Sequence, residues 1–210
     1  MPTRMNSRQL MQAAMRRDPT PRIPCMPQIC YDTAIRIHAS RESGDWLEQL
    51  ARCVEDPALV YDHVIRLAEE VGCDGLRLFL PADPHRTYRQ GDELVVVDPQ
   101  TGERLGKIDA QGGGAFVPDR RPPPIETAAE AQARLDEMVL AITDEKIELL
   151  RAARQRVPER FVASAPGGIT MTTYAELRGR QQAMIDLVES PTLVAEVMRM
   201  QSEAMIRRAE

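Results

Sequence analysis

Apolar residues recur along this chain in two rhythms, and the rhythms alternate. Leu10, Met11, Ala14 and Met15 fall on one face of a helix that Asn6 or Ser7 can cap, and Pro19, Pro21 and Pro24 end it. The run Ile23–Ile29 (IPCMPQI) predicts a first strand. Tyr31–Arg41 reads as a loop or short helix, with Trp46 and Leu47 opening the next helical stretch. Asp56-Pro57 then starts a clearer helix, in which Leu59, Val60, Val64, Leu67, Ala68 and Val71 repeat at helical spacing and Gly72 supplies the stop. Asp74–Leu80 (DGLRLFL) predicts a second strand, and Phe161–Ala165 (FVASA) a third.

The period changes between Arg86 and Val117. Leu94–Val97 and Arg104–Ile108 flank the turn sequence Asp98–Gly102, so residues 86–117 predict a β-hairpin insertion after strand two, with Thr87–Arg89 as a further short strand. Gln111–Gly114 is a connector; its triple glycine lacks the lysine and the preceding buried strand of a phosphate cradle. Thr127–Arg156 is helical with a break at Thr143-Asp144, and helices follow over Tyr174–Val188 and Pro191–Ala209.

Strands separated by helical crossovers imply an α/β fold with parallel strands. Closing such units into a (β/α)8 barrel takes eight of them and about 250 residues. The 210 residues hold three predicted parallel strands. The expectation is therefore the N-terminal portion of a barrel over residues 1–210, with the C-terminal half absent and an exposed apolar face at Leu78, Leu80 and Val162.

Composition narrows the chemistry. Hydrophobic residues make up 43% and charged residues 28%, enough for a packed core and an ordinary hydrated surface. A net charge of −5 and 4% aromatics argue against nucleic-acid binding, which needs clustered cations and stacking platforms. No apolar run is long enough for a membrane span, and the N-terminus lacks a signal-peptide pattern, so a cytoplasmic protein is expected. Cys25, Cys30, Cys53 and Cys73 form no C-x-x-C pair and read as buried or half-buried free thiols.

Ligands in parallel α/β folds meet the loops after the strands. Three segments qualify. Gln28, Tyr31 and Asp32 follow strand one, with Asp32 equally suited to capping the next helix; Asp83, His85 and Arg86 follow strand two. Gly167 and Gly168, followed by Tyr174, come after strand three. His38 and His63 read as helix-surface residues, and no His/Cys spacing predicts a metal site. Neither a G-x-S-x-G elbow nor a dinucleotide fingerprint occurs.

Ser7–Pro24 (SRQLMQAAMRRDPTPRIP), Val71–Phe79 (VGCDGLRLF) and above all Val157–Tyr174 (VPERFVASAPGGITMTTY) together resemble the uroporphyrinogen decarboxylase superfamily, in order and in spacing. That superfamily folds as one (β/α)8 barrel and includes cobalamin-dependent methyltransferases. The resemblance covers nearly all of this chain but only the N-terminal part of the family's domain. In the decarboxylase reading, which needs no cofactor, it implies catalytic roles for Asp83, steadying pyrrole N–H groups, and for Tyr174, hydrogen-bonded to it. Gln28, Tyr31, Asp32, His85, Arg86, Gly167 and Gly168 would contact substrate. The methyltransferase reading implies a corrinoid, a corrinoid-bearing partner protein and, where zinc is used, ligands from later strands. Homodimers are common in the family. The chain departs from the decarboxylase pattern: of an Arg-Gln-x-x-Arg motif only Gln28 survives, and Pro81 stands where the aspartate is expected, with Asp83 two places on. Each lost arginine removes charge-assisted pairing to a carboxylate, worth roughly 1.5–3 kcal/mol per bond. A divergent enzyme acting on a tetrapyrrole or a methylated small molecule is the resulting expectation; the alternative is a truncated, non-catalytic barrel serving as an interaction module.

Overall fold

Proline decides the first departure from the expected fold. Pro21, Pro24 and Pro27 have no N–H to give to a ladder, and residues 23–29 form no strand in the computed structural model, which describes residues 5–42, 44–109, 116–140, 142–164 and 171–209. The segment is tied to the start of the next strand around Cys25 instead. The Cys25 carbonyl accepts from the backbone N–H groups of Asp74 (2.8 Å) and Gly75 (3.2 Å). Its N–H donates to Asp74 Oδ2 at 2.9 Å. Met26 lies across Gly75 so closely that a Cβ there would meet its Sδ at 2.8 Å.

The elements in chain order are α1 (Ser7–Met15), α2 (Tyr31–Arg41), α3 (Trp46–Glu55), α4 (Leu59–Glu70), β1 (Gly75–Leu78), β2 (Arg86–Gln90), β3 (Glu93–Val97), β4 (Arg104–Asp109), β5 (Phe116–Pro118), α5 (Ala128–Leu140), α6 (Asp144–Gln155), β6 (Phe161–Ser164), α7 (Met171–Arg178), α8 (Arg180–Glu189) and α9 (Pro191–Ala209). The parallel sheet holds β1 and β6 in register from Gly75↔Phe161 to Leu78↔Ser164. The antiparallel sheet has the order β2-β3-β4-β5. The fold is thus α/β with one parallel pair and one antiparallel sheet, and the described strands close no barrel.

The chain divides into two compact units, the first comprising Met1–Arg121 with Leu149–Ser164 and the second Pro122–Glu148 with Ala165–Glu210. In the first, α1 opens on a reciprocal cap: Asn6 Oδ1 accepts from the Gln9 N–H (2.9 Å) and Gln9 Oε1 from the Asn6 N–H (3.0 Å). One core joins α4 to β1 through Tyr61, Val64, Ile65, Leu76 and Leu78, with Ala153 and Val157 beside them. Leu78, expected on an open apolar face, is therefore buried. A second core packs Ile35, Leu47, Leu50 and Cys53 against Leu94, Val96 and Ile108 of the antiparallel sheet. The hairpin of β3 and β4 and the turn between them follow the sequence reading: Asp98 Oδ1 accepts from the N–H groups of Gln100 and Thr101 (2.8 and 2.7 Å), and Gly102 takes a φ of 72°. β5 extends the sheet beyond the hairpin. It approaches so closely that a Cβ on Gly106 would stand 2.4 Å from the Val117 carbonyl oxygen.

In the second unit α5, α7, α8 and α9 enclose a core that includes Leu135, Tyr174, Leu177, Val197 and Met200. The single helix expected over Tyr174–Val188 is two, because Gly179 has a φ of 88° and interrupts the helix before α8. Two surface assignments also change. His38 is buried against α4, and Cys25 and Cys30 are exposed while Cys53 and Cys73 are buried.

Candidate functional site

A cavity of about 580 Å³ opens in the first unit where the chain leaves β1. Its walls follow from the packing above. Leu50, Cys53 and Val54 come from α3, Val60, Tyr61 and Val64 from α4, and Val96, Ile108 and Phe116 from the antiparallel sheet. The polar rim comes from two stretches of chain some fifty residues apart, Gln28–Asp32 before and at the start of α2, and Arg77–His85 at and after the end of β1. An apolar chamber with a few polar groups at its rim, beyond the carboxyl end of a parallel strand, is the usual form of a small-molecule site.

Five sequence-derived candidates, Gln28, Tyr31, Asp32, Asp83 and His85, line this cavity together. Gln28 Oε1 accepts from Arg77 Nη1 at 3.2 Å, and the Arg77 guanidinium lies 4.8 Å from the centroid of the Phe79 ring. Tyr31 stands partly exposed at the rim; burial first, then the neighbouring Asp32, Cys30 and Cys53, pushes its phenol above the ordinary value. Asp32 sits in the first turn of α2, whose cap is Cys30 without a side-chain bond, so the carboxylate meets the helix dipole instead of capping it. The His85 backbone N–H donates to the Val54 carbonyl at 3.0 Å, and its Nδ1 is buried with no hydrogen-bond partner. Tyr61 fixes the loop after β1: its hydroxyl donates to the Phe79 carbonyl at 2.7 Å, and burial pushes it up to about 12.

The other candidates lie elsewhere. Arg86 is exposed, belongs to β2 opposite Val97 in the ladder and is not a lining residue. Gly167 and Gly168 lie outside the described residues, as do Gln111–Gly114. Tyr174 is fully buried in the second unit, where its hydroxyl donates to Asp186 Oδ2 at 2.7 Å. Arg178 and Gln182 also bond Asp186, at 2.7 and 2.9 Å. Arg178 chiefly, then Gln182, holds that carboxyl down at about 2, and burial first pushes the Tyr174 hydroxyl up to about 12. The bond that the resemblance places between Tyr174 and the strand-two aspartate is in this structure made to Asp186.

Arg77, Phe79, Tyr61 and the two thiols of Cys30 and Cys53 escaped the sequence reading. A signal for two of them existed, since Arg77 and Phe79 are two apart on an extended segment and so share a face. Among the described residues no group of three or more His, Cys, Asp or Glu side chains could hold a metal ion, so zinc finds no ligand set there. No described helix is long and apolar enough to cross a membrane. Comparison with known proteins returns no matching family model, no matching curated protein and no matching solved structure.

Proposed function

We propose that this chain is a divergent relative of the uroporphyrinogen decarboxylase superfamily, forming the N-terminal part of its barrel, and that the cavity in its first unit binds a small, largely apolar, methyl-bearing substrate for corrinoid-dependent methyl transfer. The observation that carries this reading is the convergence of Gln28, Tyr31 and Asp32 with Asp83 and His85 on one apolar cavity beyond β1. The methyltransferase branch is favoured over the decarboxylase branch by charge. A porphyrinogen brings eight carboxylates, whereas Arg77 is the one arginine among the described lining residues and Asp32 and Asp83 share its rim. A cavity of about 580 Å³ matches a drug-sized molecule. A corrinoid carried by a partner protein would supply the cobalt that accepts the methyl group.

The chain's own residues then have definite tasks. Leu50, Val54, Val60 and Val64 exclude water from the apolar body of the substrate. Gln28 and Arg77, already bonded to each other, orient its polar end. His85 presents a buried Nδ1 free to give or take a proton at the leaving heteroatom, and Asp83 lies on the same rim. The test is methylation of reduced cobalamin by methylated donors, with wild type, Asp83→Ala and His85→Ala. Loss of about 100-fold or more in either variant with the fold intact supports these roles. Coproporphyrinogen formation from uroporphyrinogen, with no methyl transfer, would install the decarboxylase branch instead.

A further inference from the structure

His38 of α2 and His63 of α4 face each other with Nδ1 atoms 2.9 Å apart, their rings stacked at a centroid distance of 5.2 Å and an interplanar angle of 28°. His38 is 1% exposed. Its Nε2 is buried without a hydrogen-bond partner, 3.7 Å from Glu70 Oε1. One N–H···N bond at this separation requires one ring to donate and the other to accept. The pair can therefore carry no proton beyond its two tautomeric ones, or one more, and keep the contact. A second added proton sets two N–H groups against each other.

The surroundings offset that charge only in part. From α2 and the residue that ends it come Arg41 and Glu42, and from α4 come Asp62, Arg66 and Glu70. These are already paired: Arg41 with Glu70, Arg66 with Glu42 and Glu70 (2.5 and 3.2 Å), and Asp62 with Arg156. The cores shared with α3 and β1 present Leu47, Leu50, Leu76 and Leu78, with Cys53 and Tyr61, both un-ionised at neutral pH. Burial, the largest cause for each ring, holds both imidazoles below their ordinary 6.5. The unfolded chain therefore takes up protons first. Stability of the α2–α4 contact is complete above pH 6.5 and is lost progressively as the pH falls below it.

Both helices also build the cavity, α2 through Tyr31 and Asp32 and α4 through Val60, Tyr61 and Val64. We propose that the His38–His63 pair is a proton-sensitive latch between α2 and α4 that holds the cavity walls together at neutral pH and loosens them in mild acid. The coupling to ligand rests on the reading of the cavity as the binding site; the latch itself does not.

Hydrogen exchange of the full chain at pH 7.5 and 5.5, corrected for intrinsic rates, tests it, with α9 as internal reference. Wild type should lose protection in α2 by about tenfold per proton taken up, beyond any loss in α9. His63→Phe should shrink this excess to the part that His38 alone contributes, and replacing both rings, His38→Leu with His63→Leu, should remove it. An equal fall in α2 and α9 in wild type, or an excess that stays undiminished in either variant, overturns the latch. Labelling of the cavity thiol Cys53 by 4,4′-dithiodipyridine, which reacts in acid, reads the loosening: faster labelling at pH 5.5 in wild type, and not in the variant that lacks both rings, supports the coupling. If α2 loosens while Cys53 stays protected, the coupling to the cavity is wrong, whatever the outcome of the methyl-transfer assay.

Discussion

Replacing Asp74 by asparagine keeps the size of the side chain and removes its charge. In the native structure the carboxylate is fully buried and accepts four bonds: from Arg22 Nη1 and Nη2 (2.5 Å each), from the Cys25 backbone N–H (2.9 Å) and from Ser7 Oγ (2.9 Å). These bonds clamp α1 and the segment around Cys25 to the start of β1, and that segment runs on into Gln28 and Tyr31 at the cavity rim. An asparagine retains one acceptor oxygen, and its amide turns N–H groups toward donors at the other position. Breaking a buried ion pair costs about 3–5 kcal/mol. Arg22 is 56% exposed and regains hydration when released, so the lower end applies, about 3 kcal/mol. For a chain of this length that is a fall in Tm of roughly 6–12 °C. Trp46, the single tryptophan, belongs to the same unit as Asp74, so its fluorescence in a thermal or urea titration reports the transition concerned. The pH dependence supplies a second check. Arg22 chiefly, with the Cys25 and Ser7 bonds, holds the carboxyl at about 2 against an ordinary 3.8. The stabilisation is complete above pH 3.8 and is lost as the pH falls toward 2. The gap between wild type and Asp74→Asn should therefore be full at pH 6 and close on approach to pH 2. Equal transitions at pH 6, or a gap that does not narrow in acid, would refute the clamp.

Tyr174→Phe removes one bond from Asp186, which keeps Arg178 and Gln182; a loss of about 1–2 kcal/mol, read by hydrogen exchange in α7 and α8, is expected. Unchanged exchange with lost activity would instead assign the hydroxyl to chemistry. Gly106→Ala drives a Cβ into the backbone of Val117 and Pro118, at 2.4 and 2.8 Å, and should detach β5 at a cost of about 1–3 kcal/mol, visible as lost cross-strand NMR contacts between residues 106 and 118. Iodoacetamide at pH 8 should label Cys25 and Cys30 and spare Cys53, a buried thiol pushed up to about 12, as well as the buried Cys73; mass spectrometry of the digest decides. A ligand seated in the cavity should slow the labelling of Cys30, which lines it.

Local rules carry far in this chain. Helical spacing over Leu59–Val71, the strands either side of Asp98–Gly102 and the break at Thr143-Asp144 all fall where sequence reading places them, because each depends on neighbours within a few residues. The prolines at 21, 24 and 27 were equally visible, yet the apolar run around them reads as a strand until their missing N–H groups are counted against a ladder. Gly179 hid inside a helical pattern because its positive φ is a backbone state, not a composition.

The candidate site divides in the same way. Gln28, Tyr31, Asp32, Asp83 and His85 were legible as polar groups that follow apolar runs, since ligands meet strand ends in α/β folds. What the sequence could not contain was which of them meet. Only the packing of α3, α4 and the antiparallel sheet makes one apolar chamber beneath two distant loops, and brings Arg77, Cys53 and Tyr61 to it. Likewise the exposed reading of His38 and His63 follows from each helix alone. Burial and a 2.9 Å contact are properties of two helices together, and long-range contact is the one quantity that spacing along a chain does not encode.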